Sequence, residues 1–393
     1  MKNVIHFGAG NIGRGFFGQL YYQSGYHIIF VDIVESVVET LNNKNQYPLW
    51  LVGKDIEKLT IKNVSGIKIT EKEKILQAAK NVSLISFSVG VNNVKNLVGI
   101  FKDIIEDKGV FNPSSCIDII IGENMKDASR TLKQWITEVL SPFAIDYFEK
   151  KVGLVETVLG RMIPIVPEEL KKQYPLIVLA EPYSTMPVAK NMFKGILPEV
   201  KGFQFVENIE TYEAMKIYIH NFSHAAFAYA GHKKGYTYIW QSVADKKIRD
   251  LVQKAYAEIK QAINKRYNVS LKEIDDYYND LLSRFSNKGL GDTVTRVARE
   301  PIRKLGSNDR IIGAAKLCQE QNIMPEYVSL FAALCIYYDE PSDPESQNLK
   351  HLLENQGVDY ILKNISGLSD QDNLYRLIKD KCLNFLKVRD KML

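Results

Sequence analysis

At 393 residues the chain exceeds what one core usually serves, and with 46% hydrophobic and 25% charged residues its composition is that of a two-domain globular protein, not of a disordered or collagen-like chain. No apolar run approaches the ~20 residues of a membrane span, and no signal-peptide pattern opens the sequence. The net charge of +5, from 51 basic against 46 acidic residues, is too mild to demand nucleic acid and suits a small anionic substrate.

In chain order, residues 4–7 read as a strand, 12–24 as a helix, 27–31 as a second strand and 34–41 as helical. The runs 82–87 and 116–121 are almost continuously apolar, as strands covered on both faces tend to be. Two further β-like runs, 152–158 and 176–179, precede Pro182 and Pro187. This alternation predicts an α/β domain with a Rossmann-type, doubly wound parallel sheet. The stretch 181–202, with Pro182, Pro187, Gly195, Pro198 and Gly202, reads as the domain junction. Beyond Asn208 helical periodicity takes over, as in 211–230, 246–267, 327–338 and 374–386, and 340–348 reads as a loop holding Pro341 and Pro344. The expected division is a nucleotide-binding domain over 1–200 and a mainly α-helical domain over 201–393. Cys116, Cys318, Cys335 and Cys382 lack metal-type spacing and sit in apolar contexts, so buried free thiols in a reducing cytoplasm are expected.

The first strand runs through His6 and Phe7 into Gly8-Ala9-Gly10-Asn11-Ile12-Gly13, a GxGxxG loop that opens a helix. In that context Gly8 permits the tight turn, Gly10 lets backbone approach a pyrophosphate and Gly13 allows close helix–sheet packing. Free N–H groups near Asn11 and Ile12 offer hydrogen bonds to an anion. Asp32 ends the second strand, where a carboxylate accepts from ribose hydroxyls and repels a 2′-phosphate, favouring NAD over NADP. The run Ser86-Phe-Ser-Val-Gly90 follows another apolar strand; in a doubly wound sheet it would bring Val89 to the carboxyl edge, beside the cofactor, and it reads almost equally as a plain strand-to-helix turn.

In the helical half, Lys216, His220, Asn221 and His224 share one side of a helix at ~100° per residue, with Ile217 among them. A zinc motif would require an acid where Asn221 stands, so no metal is assigned. A lysine of depressed pKa suits the removal of an alcohol proton, and amide donors can steady the charge on the reacting oxygen. A solvated helix face remains the plain alternative. Arg296, Arg299, Arg303 and Lys304 cluster about Pro301, which reads as a helix start, with Asp309 and Arg310 close behind. Such a corner can point several cations at a phosphate. It reads equally as a surface helix end paired with Asp292 or Glu300.

The opening HFGAGNIGRGFFG with Asp32, together with Gly122-Glu-Asn124, Lys216-x4-Asn221-x2-His224 and the segment from Asp292 to Gly306, closely resembles the long-chain polyol dehydrogenase family. The likeness runs from residue 1 to about 386, and the glycine-loop wording and arginine-rich segment point to the phosphate-using branch. Phe222 and Ser223 depart from the smaller or more polar neighbours expected there. The resemblance implies metal-free, NAD-dependent hydride transfer between D-mannitol 1-phosphate and D-fructose 6-phosphate. It implies Lys216 as general base, Asn124 and Asn221 on the reacting oxygen, and His224 orienting the substrate. Arg296, Arg299, Arg303 and Lys304 would face the phosphate, while His220 has no catalytic counterpart and is taken as structural. The implied partners are small sugar and polyol phosphates, with neither nucleic acid nor membrane, and the implied state is a monomer. A relative acting on an unphosphorylated polyol or a sugar acid such as fructuronate is the nearest alternative, and a non-catalytic NAD-sensing protein a more distant one.

Overall fold

The computed structural model describes residues 2–387. Met1, counted in the family resemblance, and residues 388–393, assigned to the helical half, lie outside them. The chain divides into two compact units, Met1–Ile209 and Glu210–Leu393. The Pro- and Gly-rich stretch read as a junction is therefore folded inside the first unit.

Among its described residues the first unit contains eleven strands. They are β1 (Lys2–Phe7), β2 (Tyr26–Asp32), β3 (Gln46–Val52), β4 (Ile56–Lys62), β5 (Val64–Lys68), β6 (Leu84–Phe87), β7 (Ile117–Ile121), β8 (Val152–Glu156), β9 (Val178–Ala180), β10 (Met186–Ala189) and β11 (Phe203–Val206). Six form one parallel sheet in the order β5-β2-β1-β6-β7-β8. Chain order reverses between β1 and β6, and at the carboxyl ends of such a pair an α/β sheet leaves a crevice for a ligand. Alternate side chains feed two cores. Val4, Ile28 and Leu84 pack on one face and Ile5, Ile29 and Ile85 on the other, which is why these strands read as continuous apolar runs.

Several elements were absent from the sequence reading. β3 and β4 form a hairpin around Gly53–Asp55, and β9, which overlaps the β-like run expected over 176–179, adds parallel to β3. β4 is largely exposed and β3 carries Pro48, so neither shows the apolar run that marks a central strand. β10 and β11 pair in parallel from within the Pro- and Gly-rich stretch and just after it. β8 ends at Glu156, and Thr157 then bridges Val188.

The second unit is helical. The helix Lys246–Tyr267 begins where Asp245 accepts from the Ile248 N–H at 3.1 Å, an N-cap that satisfies one orphan donor. The helix Glu326–Ile336 is apolar all round and nearly all buried, as befits a central element. The loop expected over 340–348 is shorter, because Pro344 takes the first helical position of Pro344–Tyr360 behind the Asp343 cap. Proline is favoured there, since its missing N–H is not needed. Cys318, Cys335 and Cys382 are buried free thiols, whereas Cys116 is only half-buried.

Candidate active site

In the first unit the glycine loop leaves β1 at Gly8, whose φ of +98° suits glycine. A Cβ on Gly8 would meet the Ser88 carbonyl oxygen at 2.5 Å, and one on Gly13 would meet the Gly8 carbonyl oxygen at 2.0 Å. Both positions thus depend on glycine for close backbone approach. Gly10 differs: it is exposed, and a Cβ there would have nothing within 4 Å. The open space over Gly10 is where backbone would meet a pyrophosphate. Phe7 and Ala9 are buried beneath the loop, Asn11 is exposed and Ile12 half-buried. Gly13–Phe17 form a π-helical turn, a variant that recurs at functional sites.

Asp32 projects from the end of β2, and its Oδ2 accepts from the Ala9 N–H at 2.6 Å while Oδ1 accepts from Val34 N–H at 2.8 Å. The carboxylate thereby ties the glycine loop to the second strand, a role the sequence did not reveal. Beneath the loop, His6 is fully buried, with its ring nitrogens hydrogen-bonded to Ser86 Oγ at 2.6 Å and Ser88 Oγ at 2.9 Å. Burial lowers its pKa to about 3, so this histidine is a neutral strut. Val89 follows Ser88, and the next residue, Gly90, donates its N–H to Glu123 Oε1 at 2.7 Å. Glu123, whose carboxyl is pushed up by burial, joins the loop after β6 to the loop after β7. Asn124 is the next residue on that second loop and is exposed.

In the second unit Lys216 and His220 lie in a π-helical turn, Met215–Asn221, which continues into the helix Phe222–Lys233. The ~100° spacing used to read this face therefore does not hold through the turn, where bonds run from i to i+5. Lys216 Nζ nevertheless lies 3.1 Å from His220 Nδ1. His224 Nε2 lies 2.7 Å from Asp292 Oδ2, and its ring stacks on Phe285 with centroids 4.7 Å apart and planes 9° from parallel. Burial is the largest effect on His224 and lowers its pKa, outweighing Asp292. Burial raises Asp292, but its bonds to His224 and Arg296 more than offset this and hold the carboxyl low. A neutral imidazole beside a carboxylate donates from Nε2, which leaves Nδ1 as an acceptor. Asn221 is half-buried on the same helix.

The arginine-rich corner is built as Val294–Ala298, then Arg299 and Glu300, then Pro301–Lys304. Its cations are not equivalent. Arg296 Nε donates to Asp292 Oδ1 at 2.8 Å, with a second bond from Nη2, so it serves the His224 carboxylate. Arg303 pairs with Glu300 at 2.8 Å and Asp309 at 3.0 Å. Lys304 corrects the sequence reading most clearly. It is 3% exposed, its ammonium donates to the Arg299 carbonyl, and burial lowers its pKa to about 8, so it is turned away from any solvent-borne anion. Arg299 is the open member, with 61% of its side chain exposed and Glu300 no nearer than 4.0 Å.

Asp292 and Phe285 are the contributors to this cluster that spacing did not identify. Asp292 stood in the quoted segment, four residues before Arg296, but nothing local tied it to His224. Phe285 carried no sequence signal. Among the described residues no group of three His, Cys, Asp or Glu side chains could hold a metal ion, and no helix is long and apolar enough to cross a membrane.

The family model for the mannitol dehydrogenase Rossmann domain matches residues 2–202, and that for the mannitol dehydrogenase C-terminal domain matches 208–385. A mannitol-1-phosphate 5-dehydrogenase of Thermoanaerobacter pseudethanolicus is 35% identical over 96% of this chain and 97% of its own. One from Caldanaerobacter subterraneus is 33% identical over 97% and 98%. Among solved structures, a substrate-free D-sorbitol dehydrogenase shares the fold with a TM-score of 0.82 at 13% identity, covering 99% of this chain and 93% of its own. A Pseudomonas fluorescens mannitol 2-dehydrogenase, solved with NAD and D-mannitol, gives 0.73 at 15% identity over 100% and 92%. The glycine-loop half and the lysine–histidine half are thus both those of one family: the chain belongs to the mannitol dehydrogenases.

Proposed function

We propose that the chain is an NAD-dependent oxidoreductase interconverting D-mannitol 1-phosphate and D-fructose 6-phosphate, with Lys216 as the base. The observation that carries the chemistry is the seating of the Lys216 amine in one cluster with a neutral His220 ring, a neutral His224 and the Asp292 carboxylate. The near-full-length relatives carry the choice of substrate.

The glycine loop fits a dinucleotide: Gly10 leaves space over the backbone, Gly8 and Gly13 allow the close turn, and Asp32 stands at the end of β2. When bound, NAD accepts or returns the hydride. Gly8, Gly10, Asn11 and Ile12 would hold its pyrophosphate side, with Phe7, Ala9 and Gly13 packed beneath them and Val89 beside it, and Asp32 would take the ribose hydroxyls with the acceptor capacity left by Ala9 and Val34. Asp32→Ser should relax the preference for NAD over NADP and also weaken NAD binding, because the Ala9 tie is shortened away. Competition between the two cofactors checks this, and an unchanged ratio contradicts the assignment.

On the substrate side, uncharged Lys216 takes the carbinol proton during oxidation and returns it during reduction. Asn124 and Asn221 donate to the reacting oxygen as it gains charge, and His224 Nδ1 accepts from a substrate hydroxyl. Arg299, with Arg303 beside it, receives the phosphate, while Arg296 acts through Asp292. Arg299→Ala should raise KM for fructose 6-phosphate roughly tenfold or more, since a charge-assisted bond is lost, and leave KM for fructose unchanged. Equal effects on both ketoses would remove Arg299 from the phosphate site. The unpaired thiols support a reducing cytoplasm as the compartment, and the family likeness supports a monomer acting on small molecules.

A further inference from the structure

Arg14 follows the third glycine of the loop and turns inward, away from solvent. Its side chain is buried, with the residue 8% exposed. Nε donates to the Ala9 carbonyl at 2.6 Å, and Nη1 donates to the Leu176 carbonyl. The guanidinium lies 6.0 Å from the centre of the Tyr47 ring, and the Tyr47 hydroxyl donates to the Arg14 carbonyl at 2.7 Å. Tyr47 on β3 and Leu176 ahead of β9 thus hold this side chain under the loop.

Among the described residues no carboxylate pairs with Arg14; its side-chain partners are the two neutral carbonyls. Asp32 is the acid whose charge reaches it, but that carboxylate bonds to the Ala9 and Val34 N–H groups instead. Burial lowers the Arg14 pKa, yet a guanidinium keeps its proton in a protein. A buried charge without an opposite partner is costly, and it acts on a nearby anion more strongly than a charge in water does.

The same bonds set the direction of the loop. The Ala9 carbonyl is held by Arg14 Nε, and the Gly10 carbonyl accepts from the Arg14 backbone N–H at 3.0 Å. A trans peptide is planar, so each carbonyl points opposite to the N–H that follows it. The N–H groups of Gly10 and Asn11 therefore point away from Arg14. That of Gly10 has no partner among the described residues, and the space over Gly10 is open. We infer that Arg14 is a positioning residue for the cofactor: its side chain holds the Ala9 carbonyl down, turns the Gly10 N–H toward the pyrophosphate, and supplies the buried counter-charge for that anion. This rests on the reading that the pyrophosphate crosses the loop at Gly10.

The test measures, by titration calorimetry, the binding of ADP-ribose, which carries the pyrophosphate, and of adenosine, which lacks it. The full chain is compared with its Arg14→Gln and Gly10→Ala variants. Gln keeps an amide donor for the Ala9 carbonyl but no charge. Arg14→Gln should bind ADP-ribose about tenfold or more weakly, the scale of one charge-assisted interaction, with adenosine affinity little changed. Wild-type affinity for ADP-ribose in Arg14→Gln overturns the inference. So does an equal loss for both ligands, which is the mark of a loosened loop, since Asp32 on the ribose side is tied to Ala9. If Arg14→Gln does not fold, nuclear magnetic resonance of the isotope-labelled wild-type chain decides. The Gly10 N–H and Arg14 Nε–H signals should then shift with ADP-ribose and not with adenosine; signals that move with neither ligand, or equally with both, overturn the inference. Gly10→Ala separates the two layers. If it weakens ADP-ribose while Arg14→Gln does not, only the role of Arg14 fails; if it binds ADP-ribose normally, the pyrophosphate does not cross the loop there and this inference fails with that reading.

Discussion

Lys216→Ala should lower kcat by a factor on the order of 10² or more in both directions while leaving NADH affinity nearly intact. The reason is chemical. An alcohol cannot surrender hydride from carbon unless its hydroxyl proton has somewhere to go, and in the cluster at His220 and His224 the amine of Lys216 is the group suited to take it. His224 is ill placed as the base, because its Nε2–H is committed to Asp292 at 2.7 Å and burial holds its pKa low. Lys216 belongs to the second unit and the glycine loop to the first, so the substitution should spare the residues proposed to hold the cofactor. Steady-state kinetics with a separate NADH titration checks both halves of the expectation. Unchanged turnover removes Lys216 from the mechanism, and lost NADH binding recasts it as a cofactor or folding residue.

The glycine loop gives the second large effect, as a contrast between two neighbouring glycines. Gly13→Ala places a methyl 2.0 Å from the Gly8 carbonyl oxygen and 2.8 Å from His6 Nε2. Backbone and a buried ring tied to two serines cannot yield cheaply, so the variant should lose about 1–3 kcal/mol of stability or more and NAD binding with it. Gly10→Ala meets nothing within 4 Å. It should fold with wild-type stability yet bind NAD about tenfold or more weakly, because its methyl enters the space proposed for the pyrophosphate. Thermal unfolding and NAD titration of the two variants separate the cases. If Gly10→Ala binds NAD normally, the dinucleotide does not cross the loop there.

What could be read in the sequence was what lies close along the chain. β1, its glycine loop, the following helix and Asp32 form one continuous signal, and the helix Lys246–Tyr267 was legible to the residue from its periodicity. The hairpin of β3 and β4 was not, since an exposed strand and one bearing Pro48 lack the apolar alternation that reveals buried strands. The site divides in the same way. Lys216, Asn221 and His224 lie on one helical stretch and announce themselves by spacing. Asp292 meets His224 from 68 residues away, and Phe285 stacks on it from yet another helix, so only the tertiary fold joins them. The arginine-rich corner illustrates the opposite failure: four cations look alike in sequence, but folding pairs Arg296, engages Arg303, buries Lys304 and leaves Arg299 open. The π-helical turn under Lys216 and His220 was likewise invisible, because a uniform ~100° step has no room for it.

The most direct measurement is the disappearance of NADH absorbance when the purified protein is offered fructose 6-phosphate, fructose and fructuronate in turn. Rapid oxidation of NADH with fructose 6-phosphate, and little with the two ketoses lacking phosphate, is the predicted result. Comparable or faster turnover of an unphosphorylated ketose, or none with any of the three, contradicts it.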